Sequence, residues 1–197
     1  MLNVVLVEPQ IPANTGNIGR TCVLAGARLH LVGPLGFELT SKALQRAGLA
    51  YWDSLDVSTY ASWDEFVGNN LTHGWDGVHL LTKAGAHTYA QASYGPSDWL
   101  VFGKESSGLD LALLREHPDL CERIPMRTDA SLKNADAWHQ SHSTLHPELR
   151  RDICGNYVDE REGVISSLNL SNAVAIVLFE ALRQLGFPHT EVGDPQR

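Results

Sequence analysis

The chain has 197 residues, 43% hydrophobic and 19% charged, enough for one ordinary domain with a buried core and unlike a disordered or collagenous chain. Its formal net charge of −8 argues against gripping nucleic acid by bulk electrostatics, because phosphate neutralisation normally shows as a basic face. A local basic patch, or a groove built by two subunits, is still compatible with that total.

The first residues, Leu2 to Val7, are apolar, but Glu8 and Pro9 stop the run well short of a signal peptide or membrane span, so it reads as a first buried strand. Further short apolar runs at Leu29 to Val32, Val78 to Thr82, Trp99 to Phe102 and Arg123 to Pro125 read as strands separated by helical patterns. That alternation predicts an α/β fold with a mostly parallel sheet and helices on both faces. The helix after the first strand is predicted to start at Asn14, as N-cap, and to run through Ile18, Cys22 and Leu24 to Gly26. The last helix, Leu170 to Leu185, carries Ala173 to Phe179, which is apolar around its circumference and so must be covered on more than one side. Between Met126 and Ser167 the periodicity dissolves into a polar, His-rich stretch, a length that suggests a functional flap or an insertion. Cys22, Cys121 and Cys154 are widely spaced with no CxxC pair, which suits a reducing cytoplasm and suggests neither disulfides nor a zinc ribbon.

Three segments place small or polar residues at strand ends, where a plain core would use aliphatics. In Pro12 to Arg20, the residues Asn14, Asn17 and Arg20 recur every three positions and are expected to line one side of the helix's first turns; a capped helix with a solvated arginine is the plainer alternative. In Val101 to Leu109, Gly103 allows the backbone to approach a ligand and Glu105 sets a carboxylate beside it, although Gly-rich turns after strands are common. Neither GxxxxGK[ST] nor GxGxxG occurs, so this is no nucleotide-phosphate loop. The third is Ile124-Pro125-Met126 together with Ser167-Leu168-Asn169-Leu170-Ser171-Asn172, which holds more polar residues than capping requires.

Taken together, Glu8-Pro9-Gln10-Ile11-Pro12-Ala13-Asn14-Thr15-Gly16-Asn17-Ile18-Gly19-Arg20, Arg46-Ala47-Gly48-Leu49-Ala50-Tyr51, the turn from Phe102 to Leu109, Ile124-Pro125-Met126 and Ser167 to Ala173 resemble the SPOUT methyltransferases. Within that class they are similar to the small tRNA (cytidine/uridine) wobble-position 2'-O-methyltransferases, which consist of the catalytic domain alone. The resemblance implies a C-terminal trefoil knot, a homodimer, a tRNA substrate and S-adenosyl-L-methionine as methyl donor, with no metal and no membrane. It also implies that Leu80, Gly103, Ile124, Ser167 and Leu168 hold the cofactor, mainly through main-chain groups, and that Asn14, Arg20, Glu105, Ser167 and Asn169 form the catalytic surface. A guanidinium stays protonated at neutral pH and makes a poor base, so Arg20 is expected to bind the adjacent phosphate and stabilise developing alkoxide. Asn14 and Asn169 would orient, and Glu105 would restrain Arg20 or the two amides.

The chain departs from that pattern at Arg127 to Ser166, 40 positions inserted between IPM and the SxN loop of a single domain spanning 1–197. Its mixed charges suggest a lid or substrate-selecting flap. His139, His142 and His146 have the spacing of one helical face and could ligate a metal with Cys154; solvated histidines are the plainer alternative. Two other functions stay open: a 2'-O-methyltransferase for ribosomal RNA or another tRNA position, and a non-catalytic RNA- or cofactor-binding homologue.

Overall fold

Asn3–Val7 and Arg28–Val32 are short runs dominated by aliphatics, and a run that is apolar on both sides fits only a strand covered on both faces. The computed structural model, which describes residues 1–38, 51–127 and 167–188, builds both as neighbouring parallel strands, β1 (Asn3–Val7) and β2 (Arg28–Val32), joined by helix α1 (Pro12–Ala25). Then come a 3-10 turn (Trp52–Ser54), β3 (Val57–Tyr60), α2 (Trp63–Asn70), β4 (Val78–Leu81), β5 (His87–Thr88) and β6 (Trp99–Phe102). The last elements are α3 (Leu111–Glu116), a 3-10 turn (Pro118–Leu120), β7 (Cys121–Arg123) and α4 (Leu170–Gln184). The seven strands form one sheet in the order β3-β2-β1-β6-β4-β7-β5, with every pair parallel, as the alternation of patterns predicts.

Alternate residues of each strand feed two cores. On one face Val4, Leu6, Leu29, Leu31, Leu100 and Phe102 pack with Ile18 and Cys22 of α1 and Val174, Val177, Leu178, Ala181 and Leu182 of α4. On the other, Val5, Val78, Leu80 and Val101 pack with Phe66 of α2 and Leu109. Each fully buried aliphatic contributes about 1.5–3 kcal/mol, so either layer alone outweighs any single polar contact described below.

Three expectations need correction. Helix α1 begins at Pro12, with Ile11 as an N-cap that makes no side-chain cap, because proline suits the first helical position and the end is served by a distant carboxylate. Asn14 lies inside the first turn. Strand β7 is Cys121–Arg123 rather than Arg123 to Pro125, since Leu80 and Leu81 pair with Cys121 and Glu122 and a proline cannot donate to a ladder. The polar strand β3 at one edge and the two-residue β5 at the other were not anticipated. The insertion, with His139, His142, His146 and Cys154, lies outside the described residues, as does the path on which a knot depends. Among the described residues no group of three or more His, Cys, Asp or Glu side chains could hold a metal, and no helix is long and apolar enough to cross a membrane.

Candidate active site

Parallel strands deliver their carboxyl ends to one edge, the usual place for a ligand in an open α/β sheet. Two turns meet there: Glu8 to Ile11 after β1, and Gly103 to Leu109 after β6. Glu105 fastens them, its Oε2 accepting from the Gln10 amide at 2.8 Å and its Oε1 from the Ile11 amide at 3.2 Å and from Asn14 Nδ2 at 3.0 Å. The carboxylate thereby sits at the amino end of α1, where the helix dipole favours negative charge, and replaces the side-chain cap that Ile11 cannot give. Lys104 Nζ donates to Glu8 Oε2 at 2.7 Å, and the Ser106 amide to Gln10 Oε1 at 3.2 Å, completing the seam.

Asn14 passes the connection onward. Its Oδ1 accepts from Asn169 Nδ2 at 2.9 Å, while Asn169 Oδ1 accepts from the Ser171 amide at 2.8 Å and so caps α4. A directed line of amides, Asn169 to Asn14 to Glu105, therefore joins segments from the start, middle and end of the chain. Asn14 is only 2% exposed, and a buried polar side chain keeps its orientation when every group has a partner.

Arg20 stands apart. It is exposed on α1 with its guanidinium 5.9 Å from the centroid of the Tyr51 ring. The expected alignment of Asn14, Asn17 and Arg20 on one side does not occur, since each three-residue step falls about 60° short of a full helical turn and two steps separate Asn14 from Arg20 by about 120°. Asn14 faces inward, and Asn17 and Arg20 face water. Glu105 holds Asn14 and main-chain amides, not Arg20.

The five positions expected to hold a cofactor are divided. Gly103 and Ile124 directly follow β6 and β7, and Leu80 lies one residue before the end of β4, so the order β6-β4-β7 brings the three strand ends side by side. The Leu80 side chain is fully buried in the far core, which leaves only its main chain for a ligand; Leu81, on the near face, is the side chain the sequence did not single out. Gly103 is required by the protein itself: a Cβ there would lie 2.1 Å from Gly108 C and 2.2 Å from Leu109 N, where the turn folds back on its own strand. Ser167 and Leu168 lie exposed immediately before Asn169. Ile124 and Leu170 pack half-buried against the same core, with Met126 and Leu168 on the water side. Main-chain groups beside apolar side chains, with the cation of Lys104 neutralised by Glu8, suit a sulfonium-bearing nucleoside better than a polyphosphate.

Residues 1–136 match the SpoU rRNA Methylase family, and the chain belongs to that family. A protein of Burkholderia pseudomallei named tRNA (cytidine(34)-2'-O)-methyltransferase is 39% identical over 188 residues, covering 95% of this chain and 97% of its own. One of Saccharophagus degradans with the same name is 38% identical over 188 residues, with the same two coverages, 95% and 97%. Among solved structures, one described as giving insight into the 2-OH methylation of C/U34 on tRNA superposes with a TM-score of 0.69 at 32% identity, covering 94% of this chain and 97% of that one. An AdoMet-bound rRNA methyltransferase from Sinorhizobium meliloti superposes at 0.66 with 25% identity, covering 93% of this chain and 56% of that one.

Proposed function

We propose that this protein transfers a methyl group from S-adenosyl-L-methionine to the ribose 2'-hydroxyl of nucleotide 34 of tRNA, in the cytoplasm. The observation that carries this reading is the line Asn169–Asn14–Glu105 at the carboxyl edge, beside the turn that opens at Gly103, with Arg20 exposed farther along α1. Relatives named for the same reaction match over nearly the whole chain.

When bound, the cofactor would supply an electrophilic methyl carbon for the ribose oxygen, with its sulfur as the leaving group. The protein must align that oxygen and favour loss of its proton to solvent. Arg20, protonated at neutral pH, would bind the phosphate beside the target ribose and stabilise the oxygen as it becomes anionic. Asn14 and Asn169, locked by Glu105 and the α4 cap, would hold the floor against which the ribose is set. Main-chain groups at Leu80, Gly103, Ile124, Ser167 and Leu168 would hold the cofactor.

The protein acts, in this reading, as a homodimer. Leu24 of α1 is 71% exposed, and Ile176 and Phe179 of α4 are 36% and 47% exposed, all on two helices packed against each other. A second copy covering them would set two copies of Arg20 around one groove and let a chain of net charge −8 hold RNA. Sedimentation at micromolar concentration should give a dimer.

The test of the reaction is incubation with labelled S-adenosyl-L-methionine and bulk tRNA, followed by mapping of the labelled ribose. Label at the 2'-oxygen of nucleotide 34 is expected. Label confined to ribosomal RNA or to another tRNA position would replace this substrate, and cofactor binding without transfer would point to a non-catalytic homologue. Arg20→Ala should slow transfer by about 100- to 1,000-fold and leave cofactor affinity within a few-fold.

A further inference from the structure

We propose that Tyr51 is a positioning residue that sets the guanidinium of Arg20 for the reaction, an inference that rests on reading Arg20 as the group acting on the RNA. Tyr51 grips the same turn of α1 twice. Its hydroxyl donates to the Gly16 carbonyl, the one that in the α-helical pattern faces the amide of Arg20. Its ring lies alongside the Arg20 side chain, with the guanidinium carbon 5.9 Å from the ring centroid, within the range of cation–π attraction. Burial pushes the Tyr51 phenol above its ordinary value against the opposing pull of the neighbouring Arg20.

The contact is built from both sides. Gly16 and Gly19 sit inside a helix, where glycine costs about 0.5–1 kcal/mol relative to alanine. At Gly19 the reason is visible: a Cβ would come 3.1 Å from Leu55 Cδ2 and 3.3 Å from Trp52 Cζ3, so the small residue lets the Trp52–Ser54 turn approach α1 closely. Tyr51 is the residue that leads into this turn and reaches Gly16, one helical turn earlier. Arg20 is otherwise an exposed, flexible side chain, and an exposed arginine must lose rotamer freedom before it can meet a phosphate. The Tyr51 ring removes part of that freedom before the substrate arrives, and the hydroxyl fixes the height of the ring along the helix. The planar guanidinium suits this task, because it can lie against an aromatic face and still present N–H groups outward.

The test is a double-mutant cycle on the intact protein, read as the single-turnover rate of methyl transfer with tRNA and S-adenosyl-L-methionine both saturating. Tyr51→Leu should slow the methyl step roughly tenfold or more, while cofactor affinity and the thermal midpoint stay close to those of the parent. Tyr51→Phe keeps the ring and should recover most of the rate. In an Arg20→Ala background, Tyr51→Leu should change the residual rate by less than about twofold, because the group it positions is gone. Should Tyr51→Leu not fold, Tyr51→Met carries the same comparison. Full activity of the Leu or Met variant, or losses that multiply with Arg20→Ala, would overturn the proposal while leaving the role of Arg20 intact. Unchanged transfer by Arg20→Ala alone would overturn the role of Arg20 instead.

Discussion

Two glutamates, Glu105 and Glu122, each anchor a polar network, one beyond the carboxyl ends of the strands and one on the sheet itself, across β4 and β7. Around Glu122 everything closes inward. His79 Nδ1 meets Glu122 Oε1 at 2.6 Å and its Nε2 meets Asp98 Oδ2 at 3.0 Å, while the Tyr94 hydroxyl lies 2.9 Å from Glu122 Oε2. Burial works against a charge on His79, but the hydrogen bonds and attraction from Glu122 and Asp98 outweigh it and hold the imidazole above its ordinary value. With an acid on each nitrogen, the ring has no atom left for a substrate. Around Glu105 the donors come from one side only, and the line runs out through half-buried Asn169, close in sequence to exposed Ser167. A histidine between two carboxylates looks more like catalytic machinery than an asparagine pair does. What separates scaffold from site is whether the network closes on itself within the core or runs out to the carboxyl edge of the sheet.

The sharpest break in the comparison is at the turn that carries Glu105. Gly103→Ala forces a Cβ into the peptide joining Gly108 and Leu109, so the turn must open; we expect loss of soluble folded protein, or destabilisation of about 3 kcal/mol or more, read by denaturant titration. The same chemical change at each glutamate then tests the contrast directly. Glu105→Gln turns an N–H toward an N–H donor and should slow methyl transfer by about 100-fold, with only a small fall in thermal midpoint. Glu122→Gln should leave the site intact and cost stability of about 2–3 kcal/mol, because a buried charged partner of His79 is lost. Equal effects of the two on both readouts would erase the distinction.

The smallest expected effect is in pH. His79 has a raised folded value, so its contribution is full below about pH 6.5 and is lost as pH climbs from there through the higher folded value. His30 is the opposite case. Buried between Tyr60 and Asn3, its Nε2 3.2 Å from Asn3 Oδ1 and its Nδ1 3.0 Å from the Tyr60 hydroxyl, it is pushed down to about 4, first by burial and then by Arg28. It folds neutral, so its contribution is full above about pH 6.5 and drains away as pH falls toward 4. Unfolding free energies across pH 4–9 should show the alkaline slope flattened by His79→Gln and the acid slope flattened by His30→Gln.

Strands β1, β2, β4 and β6 and helix α4 were legible in the sequence because buried aliphatic runs announce themselves. The edge strand β3, Val-Ser-Thr-Tyr, is only half-buried and has no such run, and β5 has just two residues. Asn14, Glu105 and Asn169 were legible as polar residues at strand and helix ends. Their partners were not: Glu105 bonds the amides of Gln10 and Ile11, and main-chain donors leave no trace in residue types. The His79 network was equally hidden, since 19 positions separate it from Asp98 and 43 from Glu122 and only the order β6-β4-β7 makes them neighbours. The loop's own need for Gly103 was not legible, because a glycine required by its own turn has the same letter as one that leaves room for a ligand.

The bond from Asn169 to Asn14 spans 155 positions. Chains emerge amino end first, at roughly 5–20 residues per second, and domains fold as their parts become available. Asn14 and Glu105 can meet long before Asn169 has been made, so an interrupted chain would own the carboxylate and its first amide but neither the second amide nor the cap of α4. With Asn169 in the proposed site, methyl transfer has to wait until the chain has been made as far as α4.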